Sequence, residues 1–386
     1  MAKLKSICRV IVDGDWIESK DQSESGIRLI QTGNIGVGEY LDKSNRAKYI
    51  TAETFERLKC TEIFPGDILI SRLPDPIGRA CTVPPNVGKA ITAVDCTIVR
   101  LDSALCDINY FINYTQSVKY SDELSKFLAG TTRTRISRKN LEKIDIPLPP
   151  LEEQRRIAAT LDKISDLIAK RRAQLDKLDL LVKARFVEMF GNCNYPYHTL
   201  ISLITEGAGL SYGIVQPGDD GTGDMGVLRP VDLVGGKISM ASIKYIDRAI
   251  SDGFKKTELT GDELLITVRG TTGVTALTDV RFKNMNVTRG IAVIRYDRSK
   301  INPIYLNAYL NTDESQHYIQ EHTRGATLQQ INLSDLREQK ILVPPIELQT
   351  QMEIFIIKIE KSKLAIQQSL DKLEMLKKAL MQQYFG

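Results

Sequence analysis

Cationic side chains set among threonines and glycines are the residues of this chain best suited to chemistry, and that chemistry is the binding of anions and base edges. "GTTRTRISRKNLEK" (130–143) carries Arg133, Arg135, Arg138, Lys139 and Lys143 against Glu142 alone. Arg72 and Arg79 stand in "SRLPDPIGR", and Lys89 in "NVGKA". Farther on, "VRGTTG" holds Arg269, Thr271 and Thr272, "VRFKN" holds Arg281 and Lys283, and Arg289 and Arg324 follow. A guanidinium grips two acceptors at once, which suits it to guanine, while Ser and Thr hydroxyls commonly bind phosphate. Taken singly, each position is as readily a solvated surface charge; as sets they are candidate nucleic-acid contacts. The net charge of +4 is mild, so local clustering weighs more than the total.

Catalytic patterns are missing. There is no Asn-Pro-Pro-Tyr or Asp-Pro-Pro-Tyr of an adenine methyltransferase and no GxxxxGK[ST] of a nucleotide motor. Glu338-Gln339-Lys340 has the shape of a nuclease Glu-x-Lys, but no Pro-Asp precedes it in its half, and it reads as linker. Six cysteines, at 8, 60, 81, 96, 106 and 193, form no CxxC, and His198, His317 and His322 form no HExxH. The cysteines are expected to be small buried apolar residues, with no metal and no cofactor in the chain. No apolar run approaches the roughly 18 residues that span a bilayer, so no membrane and a cytoplasmic location are expected.

The loops that carry the candidate residues belong to a repeat. "IPLPPLEEQ" (146–154) returns as "ILVPPIELQ" (341–349), 195 residues later, and the same offset lays "GDILI" (66–70) over "GDELL" (261–265). Tyr110 and Tyr114 fall on Tyr305 and Tyr309, and Phe190-Gly191 on Phe385-Gly386. The order is domain, helix, domain, helix: 1–145, 146–191, 192–340 and 341–386. Short apolar runs such as "DILIS", "AVDCTIVRL", "ELLITV" and "RGIAVIRY", divided by Gly, Pro, Asn and Asp, predict β-rich α+β domains. The tyrosines at i, i+4 predict core packing against the sheet rather than base stacking.

The two conserved segments predict long helices. Prolines and Glu152, Glu153 and Glu347 suit a helix start, and Gly191 and Gly386 suit its stop. Ile157, Leu161, Ile164, Ile168, Leu175, Leu178, Val182 and Met189 recur every 3.5 residues on average, skipping Arg171 and Arg185. Met352, Ile356, Ile359, Ile366, Leu370, Leu373, Leu380 and Tyr384 repeat the register, interrupted by Lys363 and Lys377. A coiled coil within one chain follows, "KRR" (170–172) lying outside the seam except for Arg171. Its orientation is decided by size: parallel helices of about 60 Å would force the second domain to hold its termini that far apart, whereas antiparallel helices put them side by side. The expectation is a pseudo-twofold repeat with two similar domains on a rigid spacer.

A variable domain, then "IPLPPLEEQRRIAATLDK", then a heptad helix, all repeated once, resembles the DNA-specificity (S) subunit of Type I restriction-modification systems over nearly the whole chain. The resemblance implies two target-recognition domains, each reading half of a bipartite site on double-stranded DNA, with the antiparallel helices setting the unread spacer. It implies partners, two methyltransferase (M) subunits and restriction-translocase (R) subunits, which bring S-adenosylmethionine, ATP and Mg2+ for adenine methylation and phage defence; the chain itself does no chemistry. Leu348 and Thr350-Gln351 replace Glu153 and Arg155-Arg156 in the second copy, so the two ends need not dock partners equally. The rival reading is a scaffold whose duplicated domains bind proteins and not DNA.

Overall fold

The computed structural model describes residues 1–128, 134–191, 193–216, 218, 223–326 and 328–386. The chain divides into two compact units, Met1–Ala173 with Gln367–Gly386, and Gln174–Ile366.

In the first unit a four-stranded antiparallel sheet runs in the order Cys8–Asp13, Cys96–Leu101, Ile68–Ser71, Ala80–Thr82. A three-stranded sheet, Lys48–Ile50, Ile27–Ile30, Ala90–Thr92, has its last two strands parallel. "DILIS" is apolar without alternation because its strand has a core on both faces. Ile68 and Ile70 pack with Tyr110, Tyr114 and the long helix, whereas Leu69 packs with Ile30, Val83 and Ile98 on the other side. Ala2–Lys3 pairs with Asp145–Ile146 and so joins the start of the domain to its end.

The second unit repeats this plan. Ser211–Tyr212, Ile291–Ile294, Leu264–Thr267 and Thr275–Leu277 form the four-stranded sheet, and Lys244–Ile246, Met225–Leu228 and Asn286–Val287 form the three-stranded one. Leu264 and Ile266 face the helices while Leu265 faces the other core. Tyr197–Thr199 pairs with Lys340–Leu342. Glu338-Gln339-Lys340 is therefore no linker: Gln339 is buried with its amide on Ser315 Oγ at 2.6 Å, and Lys340 opens the closing strand.

Two 40-residue helices, Leu151–Phe190 and Ile346–Phe385, start directly after the Pro-Pro pairs and end directly before the glycines. They run antiparallel in both units. In the first, Arg172 pairs with Glu374 at 2.7 Å while Leu161 and Phe385 share a core; in the second, Lys363 pairs with Asp179 at 2.8 Å and Arg185 lies over the Phe355 ring. The heptad positions are the buried or half-buried ones. Charges interrupting the seam find partners. Burial pushes the Lys363 ammonium down, yet hydrogen bonds to Asp179 and Glu360 prevail and hold its pKa above the usual value. Lys377 has only a 3.4 Å bond to Gln116 Oε1, and burial lowers its pKa.

The repeated phrase is explained by its glutamine. Gln154, fully buried, accepts from the Asp107 backbone N–H at 2.9 Å and donates to the Leu105 and Pro149 carbonyls at 3.0 and 2.9 Å. Gln349 accepts from the Asn302 N–H at 2.8 Å and donates to the Pro344 carbonyl at 2.8 Å. Asp107 and Asn302 are the N-caps of the helices Ile108–Tyr114 and Pro303–Leu310, so each glutamine locks a domain helix to the start of a long helix. The tyrosines complete the joint as core residues. Tyr110 and Tyr114 donate to the carbonyls of Pro147 and Asp145, and Tyr305 and Tyr309 to those of Leu342 and Lys340, at 2.8–3.1 Å.

Five cysteines are buried or half-buried, and burial pushes the Cys8, Cys81 and Cys106 thiols up to about 12 and those of Cys60 and Cys96 to about 11. Cys193 is exposed. Among the described residues no group of His, Cys, Asp or Glu could hold a metal ion, and no helix is long and apolar enough to cross a membrane.

Candidate nucleic-acid interface

In each domain the candidate cations sort to the two ends of one β-hairpin. In the first domain that hairpin joins Ile68–Ser71 to Ala80–Thr82, and its turn carries Arg72 and Arg79. Both guanidiniums are occupied from within. Arg72 is buried, with Nη2 on the Val94 carbonyl and carboxylates of Asp13 and Asp95 at 3.6 and 3.8 Å. Arg79 donates to four carbonyls, those of Ile35, Leu73, Pro76 and Thr32, at 2.7–3.0 Å. These two shape the turn. The Ile136 N–H donates to the Arg72 carbonyl at 3.3 Å, which brings Arg135 beside that turn, exposed and without a side-chain partner among the described residues. Arg138 is held by Asp13 at 3.3 Å and Glu142 at 2.7 Å. Arg133 lies outside the described residues.

In the second domain the corresponding turn lies between Leu264–Thr267 and Thr275–Leu277, and it gathers most of the candidates. The Val268 N–H donates to the Gly290 carbonyl at 2.8 Å, which sets Arg269 beside Arg289. Arg269 bridges to Gln330, itself opposite Arg324 in the hairpin of Thr323–Arg324 and Gln330–Ile331. Thr272 and Thr323 share a hydroxyl hydrogen bond of 3.0 Å, and Thr271 is exposed next to them. Three arginines and two threonines thus share one loop cluster. Arg72 and Arg269 each have an Nε that is buried without a hydrogen bond, but Arg72 has the Val94 carbonyl and two carboxylates around it, whereas the Arg269 guanidinium has no side-chain partner among the described residues. Arg289 is exposed and likewise unpaired among them; Arg324 stands 3.7 Å from Asp335 with its side chain 74% exposed.

Lys89, Arg281 and Lys283 are not part of these clusters. The Gly66 N–H meets the Val83 carbonyl, and the Thr278 N–H meets that of Glu263, at the opposite ends of the two hairpins. There Lys89 lies over the Phe55 ring at 4.4 Å with Glu62 at 3.9 Å. Arg281 holds Asp279 at 2.7 Å, a hydrogen bond that keeps this carboxylate below its ordinary pKa, and Lys283 is exposed. The sequence distinguishes neither end of a hairpin, because sorting by end needs the strand register.

Among the described residues the arrangement is one of donors, guanidiniums and hydroxyls on loops, suited to phosphate and base edges. Known proteins share its scaffold. The chain is similar to the Type I restriction enzyme EcoBI specificity subunit of Escherichia coli, 24% identical over 262 residues, which are 60% of this chain and 55% of that one. It therefore spans little more than half the length of that relative. A putative specificity subunit of Methanocaldococcus jannaschii, type I enzyme MjaX, is 22% identical over 370 residues, 89% of this chain and 83% of its own. A solved structure described as the basis of complex assembly and conformational transition of the type I R-M system aligns with 100% of this chain and 96% of its own, with a TM-score of 0.60 at 17% identity. The family model of the Type I restriction modification DNA specificity domain matches residues 1–178 and 229–375, most of both repeats, and the chain belongs to that family.

Proposed function

We propose that this chain is the sequence-specific DNA-binding subunit of a Type I restriction-modification complex, each domain reading one half of a bipartite site. The observation that carries this reading is the loop cluster of the second domain, where the Arg269 and Arg289 side chains have no side-chain partner among the described residues and stand beside Arg324, Thr271 and Thr272. A guanidinium without an internal carboxylate keeps its Nη donors for an external acceptor, where charge-assisted hydrogen bonds to phosphate or a base edge are strong. Arg135 is its counterpart in the first domain. The rival reading, a protein-binding scaffold, has no observation of its own.

The subunit is non-catalytic in this reading. Adenine methylation, translocation and cleavage belong to two M subunits and to R subunits, which bind S-adenosylmethionine, ATP and Mg2+. Exposed apolar residues on the long helices, among them Leu180, Leu181, Val187 and Leu364, are suited to docking such partners.

Binding to duplex DNA, measured by anisotropy across a salt series, tests the reading. Arg269→Ala with Arg289→Ala should weaken binding at least tenfold and reduce the salt slope by about one to two. Arg79→Ala should instead lower stability, since four carbonyls lose their donor. Salt-independent binding, or an unchanged double variant, would leave the scaffold reading in possession.

The 40-residue helices are the natural spacer. A matched insertion of seven residues in both preserves the heptad register and adds about 10 Å, or about three base pairs, to the unread gap. Methylome sequencing of cells expressing the variant with its methyltransferase would read the new spacing; the old spacing would refute the ruler.

A further inference from the structure

We infer that Trp16 and Val215 are a matched pair of apolar base-contacting residues, one per domain, that pack against thymine methyl groups in the duplex groove. This deepens the DNA-binding reading and rests on it. The two residues occupy equivalent places. In the first domain the strand Cys8–Asp13 leaves the four-stranded sheet at Gly14, and Asp15 bridges in parallel to Ala93 of the other sheet, its N–H on the Thr92 carbonyl at 2.8 Å. In the second, Tyr212 pairs with Ala292, the chain crosses at Gly213, and Ile214 bridges in parallel to Thr288, its N–H on the Val287 carbonyl at 2.8 Å. A Cβ on Gly14 would collide with the carbonyl oxygens of Thr92 and Ala93, and one on Gly213 with that of Val287, so only glycine permits either crossing.

The second residue after each crossing glycine faces solvent. Trp16 is 71% exposed and Val215 47%, although the neighbours Ile17 and Ile214 go into cores. Exposed apolar residues are ordinary singly; two at one repeated position beside the cation clusters are not. The Arg289 N–H donates to the Ile214 carbonyl at 2.9 Å, which fixes Val215 next to that unpaired arginine. Trp16 follows the segment bridged to Ala93, and the adjoining Val94 and Asp95 hold Arg72 in the turn beside Arg135.

The acidic groups nearby are already engaged. Asp15 accepts from the Thr61 N–H at 2.9 Å, Asp13 faces Arg72 and Arg138, and Asp21 is paired with Arg57. Glu18 pairs with Lys20 at 2.9 Å. Thymine alone among the bases offers a methyl group in the major groove, so an apolar residue set among guanidiniums supplies discrimination that cations do not.

Trp16 is the chain's only tryptophan, so its emission reports on this contact directly. The full chain is titrated with duplexes selected from a random-sequence library of about 40 base pairs, following both anisotropy of the labelled DNA and tryptophan emission. The emission should shift in step with binding. Trp16→Ala should lose roughly tenfold discrimination at one or two positions of one half-site, Val215→Ala the same in the other, and uracil in place of the contacted thymine should weaken wild type but not the matching variant. Salt-sensitive binding with unchanged emission, and with both variants selecting wild-type sequences, overturns the proposal while leaving DNA binding intact. No binding to any duplex overturns the DNA reading and the pair together.

Discussion

Phe385→Ala should destabilise the first unit by about 3–5 kcal/mol, read as a lowered urea midpoint by circular dichroism of the full chain. The side chain is 4% exposed and stands over Tyr110 and Tyr114, with ring centroids at 5.4 and 5.5 Å. Its removal costs burial, a cavity, and two aromatic contacts of about 0.5–1.5 kcal/mol each. The effect is large because the last turn of the second long helix is a core element of the domain at the other end of the sequence. Phe190→Ala is the mirror experiment and should cost less, because Phe186 also covers Tyr305, at 5.6 Å, whereas position 381 in the first unit offers only half-buried Met381. Met375→Ala, at a residue 64% exposed, is the control and should stay within about 0.5 kcal/mol. A Phe385→Ala effect as small as the control's would mean that this helix end frays without consequence.

Gln154→Leu keeps the volume and removes the joint between the first domain and its long helix. The Asp107 N–H and the Leu105 and Pro149 carbonyls lose their partner at a fully buried position, which should cost about 2–4 kcal/mol. Gln154→Glu distinguishes packing from hydrogen bonding. The carboxylate still accepts from Asp107 but cannot donate to two carbonyls, so its loss should be at least as great at neutral pH and smaller under mild acid, where the protonated acid regains a donor. Equal stability of the leucine variant and wild type would remove the glutamine from the account of why the phrase occurs twice.

Much of this architecture is legible in the residues. The 195-residue repeat, the 3.5-residue period and the Pro-Pro openings yield two antiparallel helices and a duplicated β-rich domain, because local periodicity and chain connectivity suffice to specify them. Tyr110, Tyr114, Tyr305 and Tyr309 read as core and are core. The binding loops are less legible. Arg72 and Arg269 look alike in sequence, both at the end of an apolar strand, yet Asp13, Asp95 and the Val94 carbonyl occupy the first while the second has no side-chain partner among the described residues. Arg79, which looks like a DNA ligand, spends its donors on four carbonyls of its own turn.

What the sequence by itself determined is thus the plan: the repeat, the helices, their direction and the family resemblance, all of which are written in periodicity and length. Tertiary structure alone decided which cations are free, which end of each hairpin they occupy, and that Trp16 and Val215 share one place. The physical reason is that a guanidinium's availability depends on acceptors brought from distant strands, whose approach is set by register and sheet crossing rather than by any neighbour in the chain.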